Sequence, residues 1–151
     1  KTPKVYFCDT GLLASLLGIE TPSQMLRDPL LGNVFENMVV LEALKESLNS
    51  TVSKNLYFFR NSNGLEIDLV EKQGESLSLF EIKSGKTLDK KFIRSIKNFR
   101  VHYPDSQGND VPGTVIYSGE DVPSFDGVAF VNYKKTASLF SSRKEKFRLE
   151  F

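Results

Sequence analysis

Gly64-Leu65-Glu66-Ile67-Asp68-Leu69-Val70, followed after a polar stretch by Leu77-Ser78-Leu79-Phe80-Glu81-Ile82-Lys83, decides how this chain folds. Both segments alternate apolar and polar side chains with a period of two, which predicts two half-buried strands. Lys72-Gln73-Gly74-Glu75-Ser76 between them is polar and carries a glycine, as a hairpin loop requires. Residues i and i+2 share a strand face, so Glu66 and Asp68 point the same way, and so do Glu81 and Lys83. Pairing of the two strands brings Asp68 close to Glu81. Two carboxylates beside a lysine, among large apolar neighbours, are costly to hold together unless something offsets the charge. A divalent metal ion is the usual solution.

Working outward, Asn55 to Arg60 reads as an aromatic strand that leads through Asn61-Ser62-Asn63-Gly64 into the hairpin, making a three-strand meander. Upstream, Lys4-Val5-Tyr6-Phe7-Cys8 predicts a short strand, with Asp9 or Thr10 capping a helix from Leu12 to Leu17 that Gly18 ends. Thr21 and Pro22 open a short piece through Arg27. The longest predicted helix runs from Leu30 to about Leu48, where Leu30, Leu31, Val34, Phe35, Met38, Leu41, Leu44 and Leu48 recur at helical spacing as a core face. Glu36 lies at the edge of that stripe. Alone it reads as a solvated helix glutamate, and only a link to the hairpin gives it a role.

Downstream of Lys83 a further helix is predicted, with Thr87 as its cap. Phe92, Ile96, Phe99 and Tyr103 form its apolar face. Lys90, Arg94 and Lys97 fall roughly opposite, flanked by Lys91 and Arg100. Two readings stand for this basic face, a solvated surface or a contact with a phosphate backbone. His102, the only histidine, is assigned no chemistry. Val111 to Tyr117 and Gly127 to Tyr133 predict two further strands, separated by a loop around Gly119 to Asp126. The tail from Ser141 to Phe151 is basic, then apolar, and is expected to be an edge strand, a docking segment or a flexible end.

The sum is one α/β domain: a mixed central sheet of about five strands with helices on both faces. At 151 residues, with 26% charged and 11% aromatic side chains, the chain has the composition of a globular domain. A net charge of +1 gives no global attraction to nucleic acid, so any such affinity must be local. The single cysteine, Cys8, is expected to be a buried thiol in a reducing, cytoplasmic compartment. No apolar run has membrane-spanning length. The chain begins at lysine, and the expectation is a fragment of a longer protein.

Elimination narrows the chemistry. There is no Gly-rich phosphate loop for ATP hydrolysis and no nucleophile elbow for serine chemistry. A pair of carboxylates for glycosidic cleavage is disfavoured by Lys83, which would hold both ionised when one must be protonated. Asp68, Glu81 and Lys83 remain: oxygen ligands for a hard cation with an ammonium beside the reacting centre, a set suited to metal-assisted phosphodiester hydrolysis.

Gly64-Leu-Glu-Ile-Asp68 with Phe80-Glu81-Ile82-Lys83 thirteen positions after Asp68 resembles the core motif of the PD-(D/E)XK nuclease superfamily. The resemblance implies that Glu36 supplies the acidic residue of the preceding helix, Asp68 the strand aspartate, and Glu81 and Lys83 the Glu-x-Lys. The proline of the superfamily's name is replaced by Ile67. A second resemblance covers most of the chain, from about Lys1 to Tyr133, and is carried by Lys4-Val-Tyr-Phe-Cys-Asp-Thr-Gly-Leu-Leu, Gly32-Asn-Val-Phe-Glu-Asn, Phe59-Arg60 and the Glu-Ile-Asp hairpin. It is similar to the uncharacterised C-terminal domain that follows an AAA-type ATPase domain in many bacterial and archaeal proteins. This implies a restriction-endonuclease-like fold, an ATPase domain upstream as partner and a cytoplasmic location.

Two functions of different class follow. In the first, a magnesium- or manganese-dependent nuclease domain, Asp68, Glu81 and the Ile82 backbone carbonyl bind the metal. Lys83 assists the water, Glu36 completes the acidic cluster, and Glu66 and Arg60 support it. The basic residues Lys90, Lys91, Arg94 and Lys97 would then meet nucleic acid. In the second, the domain binds nucleic acid or protein without cleaving and reports to the ATPase, and the charged cluster is a satisfied structural network. Sequence leaves the oligomeric state open.

Overall fold

The computed structural model describes residues 3–49, 55–105 and 108–141. Its centre is a six-stranded mixed sheet in the order β1-β2-β3-β4-β6-β5. The predicted meander is there: β1 (Asn55–Arg60), β2 (Glu66–Gln73) and β3 (Ser76–Lys83) pair antiparallel. Gly74 turns the hairpin at φ 58°, in the left-handed region that glycine enters without strain. β4 (Gly113–Tyr117) lies parallel to β3, and β6 (Val128–Asn132) parallel to β4. β5 (Val122–Phe125) closes the other edge antiparallel to β6.

Helices cover both faces. On one, α4 (Arg94–His102) and the 3-10 turn before it, Lys90–Ile93, set Ile93, Ile96 and Phe99 against Ile67, Val70, Leu79, Val115 and Val128. On the other, α3 (Leu31–Leu48) and α5 (Thr136–Ser141) set Phe35, Val39, Val40, Ala43 and Phe140 against Leu69, Phe80, Ile82 and Ile116. Each such large side chain contributes roughly 1.5–3 kcal/mol on burial, so these two layers hold the sheet. α1 (Thr10–Leu16) starts where Asp9 accepts the Leu12 N–H at 2.9 Å, as the sequence predicts. α2 (Pro22–Met25) begins with a capping box between Thr21 and Gln24.

Several expectations need correction. The segment around Lys4 to Cys8 is extended but joins no strand, because Asn37 of α3 takes up the backbone of Phe7 instead of a sheet edge. The sixth strand is β5, inside the stretch read as a loop; its short run Val-Pro-Ser-Phe carries too little alternation to announce itself. Cys8 is exposed, not buried. Asp89, not Thr87, caps the 3-10 turn, by accepting the Lys91 N–H at 2.8 Å. On α3 the buried stripe runs through Phe35, Val39, Val40 and Ala43, while Leu30, Leu44 and Leu48 are exposed; the helix is apolar enough all round that spacing does not choose the face. Residues 142–151 of the tail lie outside the described residues.

Candidate functional site

The site is built where β2 and β3 stop pairing. Their ladder runs from Gln73↔Ser76 to Leu69↔Phe80 and goes no further. Immediately beyond, β2 carries one residue more than β1: Tyr57 pairs with Val70 but Phe59 pairs with Ile67. Asp68 and Leu69 therefore oppose Phe58 alone, which is a β-bulge. The bulge explains why Ile67 and Val70, three apart, both enter the core under α4, whereas Leu69 enters the core under α3. It also frees the Asp68 carboxylate to reach between the strands. There Asp68 Oδ2 accepts the backbone N–H of Ile82 at 3.0 Å, replacing a ladder carbonyl.

Lys83 Nζ ties the two hairpin carboxylates together, 2.9 Å from Asp68 Oδ2 and 2.6 Å from Glu81 Oε2. The predicted proximity of Asp68, Glu81 and Lys83 is thus what the structure holds. Glu81 is almost fully buried, and its Oε1 has no hydrogen-bond partner. Burial and the neighbouring Asp68 charge push its carboxyl up to about 7, against the opposing pull of Lys83. Burial works against the charge on Lys83, but the Glu81 and Asp68 carboxylates outweigh it and hold the ammonium above its ordinary value.

The rest of the cluster gathers around Lys4, which the sequence reading left without a role. Its Nζ lies 2.9 Å from Glu36 Oε1, 2.6 Å from Glu66 Oε1 and 3.5 Å from Asp68 Oδ1. Glu36 thereby joins the hairpin from α3, as expected. Tyr6 Oη donates to the same Glu36 oxygen at 2.7 Å. Burial lowers the pKa of Lys4, but hydrogen bonds to Glu66 and Glu36 outweigh it, so the ammonium is strongly retained. Arg60 Nε donates to Glu66 Oε2 at 2.7 Å. That hydrogen bond, with Lys4 adding to it against partial burial, holds the Glu66 carboxyl below its ordinary range. Arg60 and Glu66 do support the cluster as the sequence suggested. The missed members are Lys4, Tyr6 and Asn37. The signal for the first two was their spacing of two in an extended segment, which puts them on one side; nothing marked Asn37.

Four carboxylates, Glu36, Glu66, Asp68 and Glu81, are thus interleaved with Lys4, Lys83 and Arg60. Among the described residues no three carboxylate, imidazole or thiolate groups are gathered closely enough to hold a metal ion between them. The donors are nevertheless hard oxygens, and the orphaned Glu81 Oε1 is an acceptor awaiting a partner. In chemical type the set fits a hard divalent cation, and two ammonium groups stand among its members. A cleft of about 430 Å³ opens beside Lys4, Glu36, Arg60 and Glu66.

The basic face of α4 is dispersed by comparison. Lys90, Lys91 and Arg94 are exposed. Lys97 pairs with Asp126, so its charge is locally answered. The flanking Arg100 is structural: its Nε donates to Val111 O at 2.8 Å and its Nη2 to Gly127 O at 3.1 Å. His102 Nδ1 lies 2.8 Å from Asn98 O and faces no charged group of the site.

With this geometry in view, comparison with known proteins places the chain. It belongs to the family described as "Domain of unknown function (DUF4143)", whose model matches residues 31–136. Two relatives are each 39% identical over 89 residues: the uncharacterized protein Mb2031c of Mycobacterium bovis and the uncharacterized protein Rv2008c of Mycobacterium tuberculosis. The match covers 58% of this chain and 19% of each relative, so the chain spans about a fifth of their length. Among the described residues no helix is long and apolar enough to cross a membrane.

Proposed function

We propose that this domain is a restriction-endonuclease-like module of the PD-(D/E)XK type that hydrolyses phosphodiesters with magnesium or manganese, attached to an AAA-type ATPase in a cytoplasmic protein. The observation that carries this reading is Asp68, Glu81 and Lys83 meeting at the end of the β2–β3 ladder within 2.9 Å of one another's charged atoms. Asp68, Glu81 and the Ile82 carbonyl would hold the metal, with Glu36 completing the acidic set. The bound ion would polarise the phosphate and acidify a water. Lys83, already fixed by two carboxylates, would orient that water or neutralise developing charge. Lys90, Lys91 and Arg94 offer exposed cations to a backbone running past α4.

The test is incubation of plasmid DNA and of single-stranded RNA with the protein in magnesium and in manganese, beside Asp68→Ala and Lys83→Ala. Cleavage by the wild type that falls at least a hundredfold in both variants supports the reading; cleavage unchanged in both, or none by the wild type with either metal, overturns it.

One observation favours a second reading, a non-cleaving module that reports to the ATPase. Lys4 already answers Glu36, Glu66 and Asp68, so the cluster can persist as a charge network without metal. On that reading nucleic acid or the ATPase domain binds equally well to the Lys83→Ala variant.

A further inference from the structure

The segment from residue 3 to residue 9 crosses the open side of the carboxylate cluster and is fastened at three points. Asn37, buried on α3, clasps the Phe7 backbone with both amide atoms, accepting from Phe7 N at 2.8 Å and donating to Phe7 O at 3.0 Å. Tyr6 Oη holds Glu36, and Lys4 Nζ reaches Glu36, Glu66 and Asp68. Three carboxylates from two separate elements, disposed around one point, are the surroundings of a cation, and here that cation is tethered to the chain.

We propose that Lys4 is the resident counter-ion of the site and the segment carrying it a displaceable strap, so that a divalent cation enters the Glu36–Glu66–Asp68 cluster only in exchange for the Lys4 ammonium. This rests on the proposed function only in taking the cluster to be a cation site; it requires no cleavage.

The charges argue for exchange. Lys4 brings one positive charge to three carboxylates, of which Glu66 shares Arg60 and Asp68 shares Lys83. Glu81, joined to Asp68 through Lys83, retains a buried oxygen with no partner. A doubly charged ion of hard-oxygen preference answers this set better than a single ammonium. The fastening also permits release. The strap holds to α3 and the cluster through side chains, so withdrawing it breaks no sheet ladder. Because Lys4, Tyr6 and Phe7 wall the 430 Å³ cleft, its withdrawal uncovers Glu36 and Glu66.

The experiment is calorimetric titration of manganese chloride into the wild type and Lys4→Met, with melting curves of both in EDTA and in manganese. The expected result is at least tenfold tighter binding by Lys4→Met, a lower melting temperature than the wild type in EDTA, and recovery of that loss in manganese. Equal or weaker binding by Lys4→Met overturns the proposal, as does a loss of stability that manganese does not restore. If Lys4→Met fails to fold, the comparison moves to Lys4→Met with Glu66→Gln against Glu66→Gln alone, where charge is balanced; the same tenfold gain is expected and its absence overturns the proposal. Adding Asp68→Asn to Lys4→Met should abolish the gain, and a gain that survives locates the metal elsewhere and overturns it too. A tenfold gain without nucleic-acid cleavage in any variant upholds the exchange while the hydrolase reading falls.

Discussion

The carboxylate of Asp68 accepts the backbone N–H of Ile82 at 3.0 Å, in the place where the next rung of the β2–β3 ladder would fall. A side chain thus completes the sheet, and the bulge at Asp68-Leu69 is what turns it inward. Asp68→Asn keeps an oxygen for this bond, whereas Asp68→Ala leaves the Ile82 N–H without an acceptor. An orphaned buried donor costs about 1–3 kcal/mol. Urea unfolding should therefore place Asp68→Ala lower than Asp68→Asn by that amount, and equal midpoints would show that the bond contributes nothing.

Glu81 gives the fold a pH dependence of defined sign. Its folded-state value near 7 stands above the ordinary 4.5, chiefly through burial. Between these values the folded protein binds the proton more tightly than the unfolded chain does. The associated stability is complete below about pH 4.5 and is lost as pH rises through 7. A gap of this size corresponds to at most about 3 kcal/mol. The stability of the wild type relative to Glu81→Gln should fall from pH 4.5 to pH 7 and level off above it; guanidinium unfolding at stepped pH reads this, and a flat or rising difference contradicts it.

Asn37 fastens the N-terminal strap without belonging to the charged cluster. Asn37→Ala removes both bonds to the Phe7 backbone, and two hydrogen bonds at roughly 0.5–1.5 kcal/mol each make the expected destabilisation about 1–3 kcal/mol. Hydrogen exchange should accelerate at the Phe7 amide and leave the β2–β3 amides protected. Acceleration spread evenly over the sheet would mean that the strap is integral to the fold.

Gly119, between β4 and β5, has no room for a side chain. A Cβ there overlaps the Lys86 carbonyl oxygen and the Tyr117 ring. The oxygen belongs to backbone and cannot swing aside, so Gly119→Ala must displace a loop at a cost of about 1–3 kcal/mol. Thermal melting of Gly119→Ala should show this, whereas Gly32→Ala, whose Cβ meets nothing within 4 Å, should melt at or slightly above the wild type.

What the sequence made legible follows from period and local spacing. The alternation through Glu66-Ile67-Asp68 and Phe80-Glu81-Ile82-Lys83 located the hairpin and brought three site residues together, because a turn fixes register over a short span. The helices before and after it were found from apolar spacing, and with them the layers on both faces. The capping of α1 by Asp9 was legible for the same local reason. What escaped depended on distant partners. Lys4-Val-Tyr-Phe-Cys has strand propensity, but Asn37 reaches its backbone first. The bulge at Asp68-Leu69 arises from a mismatch between two strands, so neither strand's own pattern displays it. α5 is six residues long and owes its place to Phe140 against Phe80, with ring centres 4.8 Å apart, rather than to its own sequence. Tertiary choice of partner overrode local preference at each of these points.

The separation of the site residues along the chain has a kinetic consequence. Lys83 and Asp68 are 15 residues apart within one meander, whereas Lys4 reaches Asp68 across 64 residues. Closing the short loop is fast, and a distant contact must wait until the intervening chain has been ordered. During folding, therefore, the hairpin carboxylates assemble first and repel one another until the N-terminal segment arrives. Added salt should shorten that interval, and arrival of Lys4 is the event that marks the native state as complete.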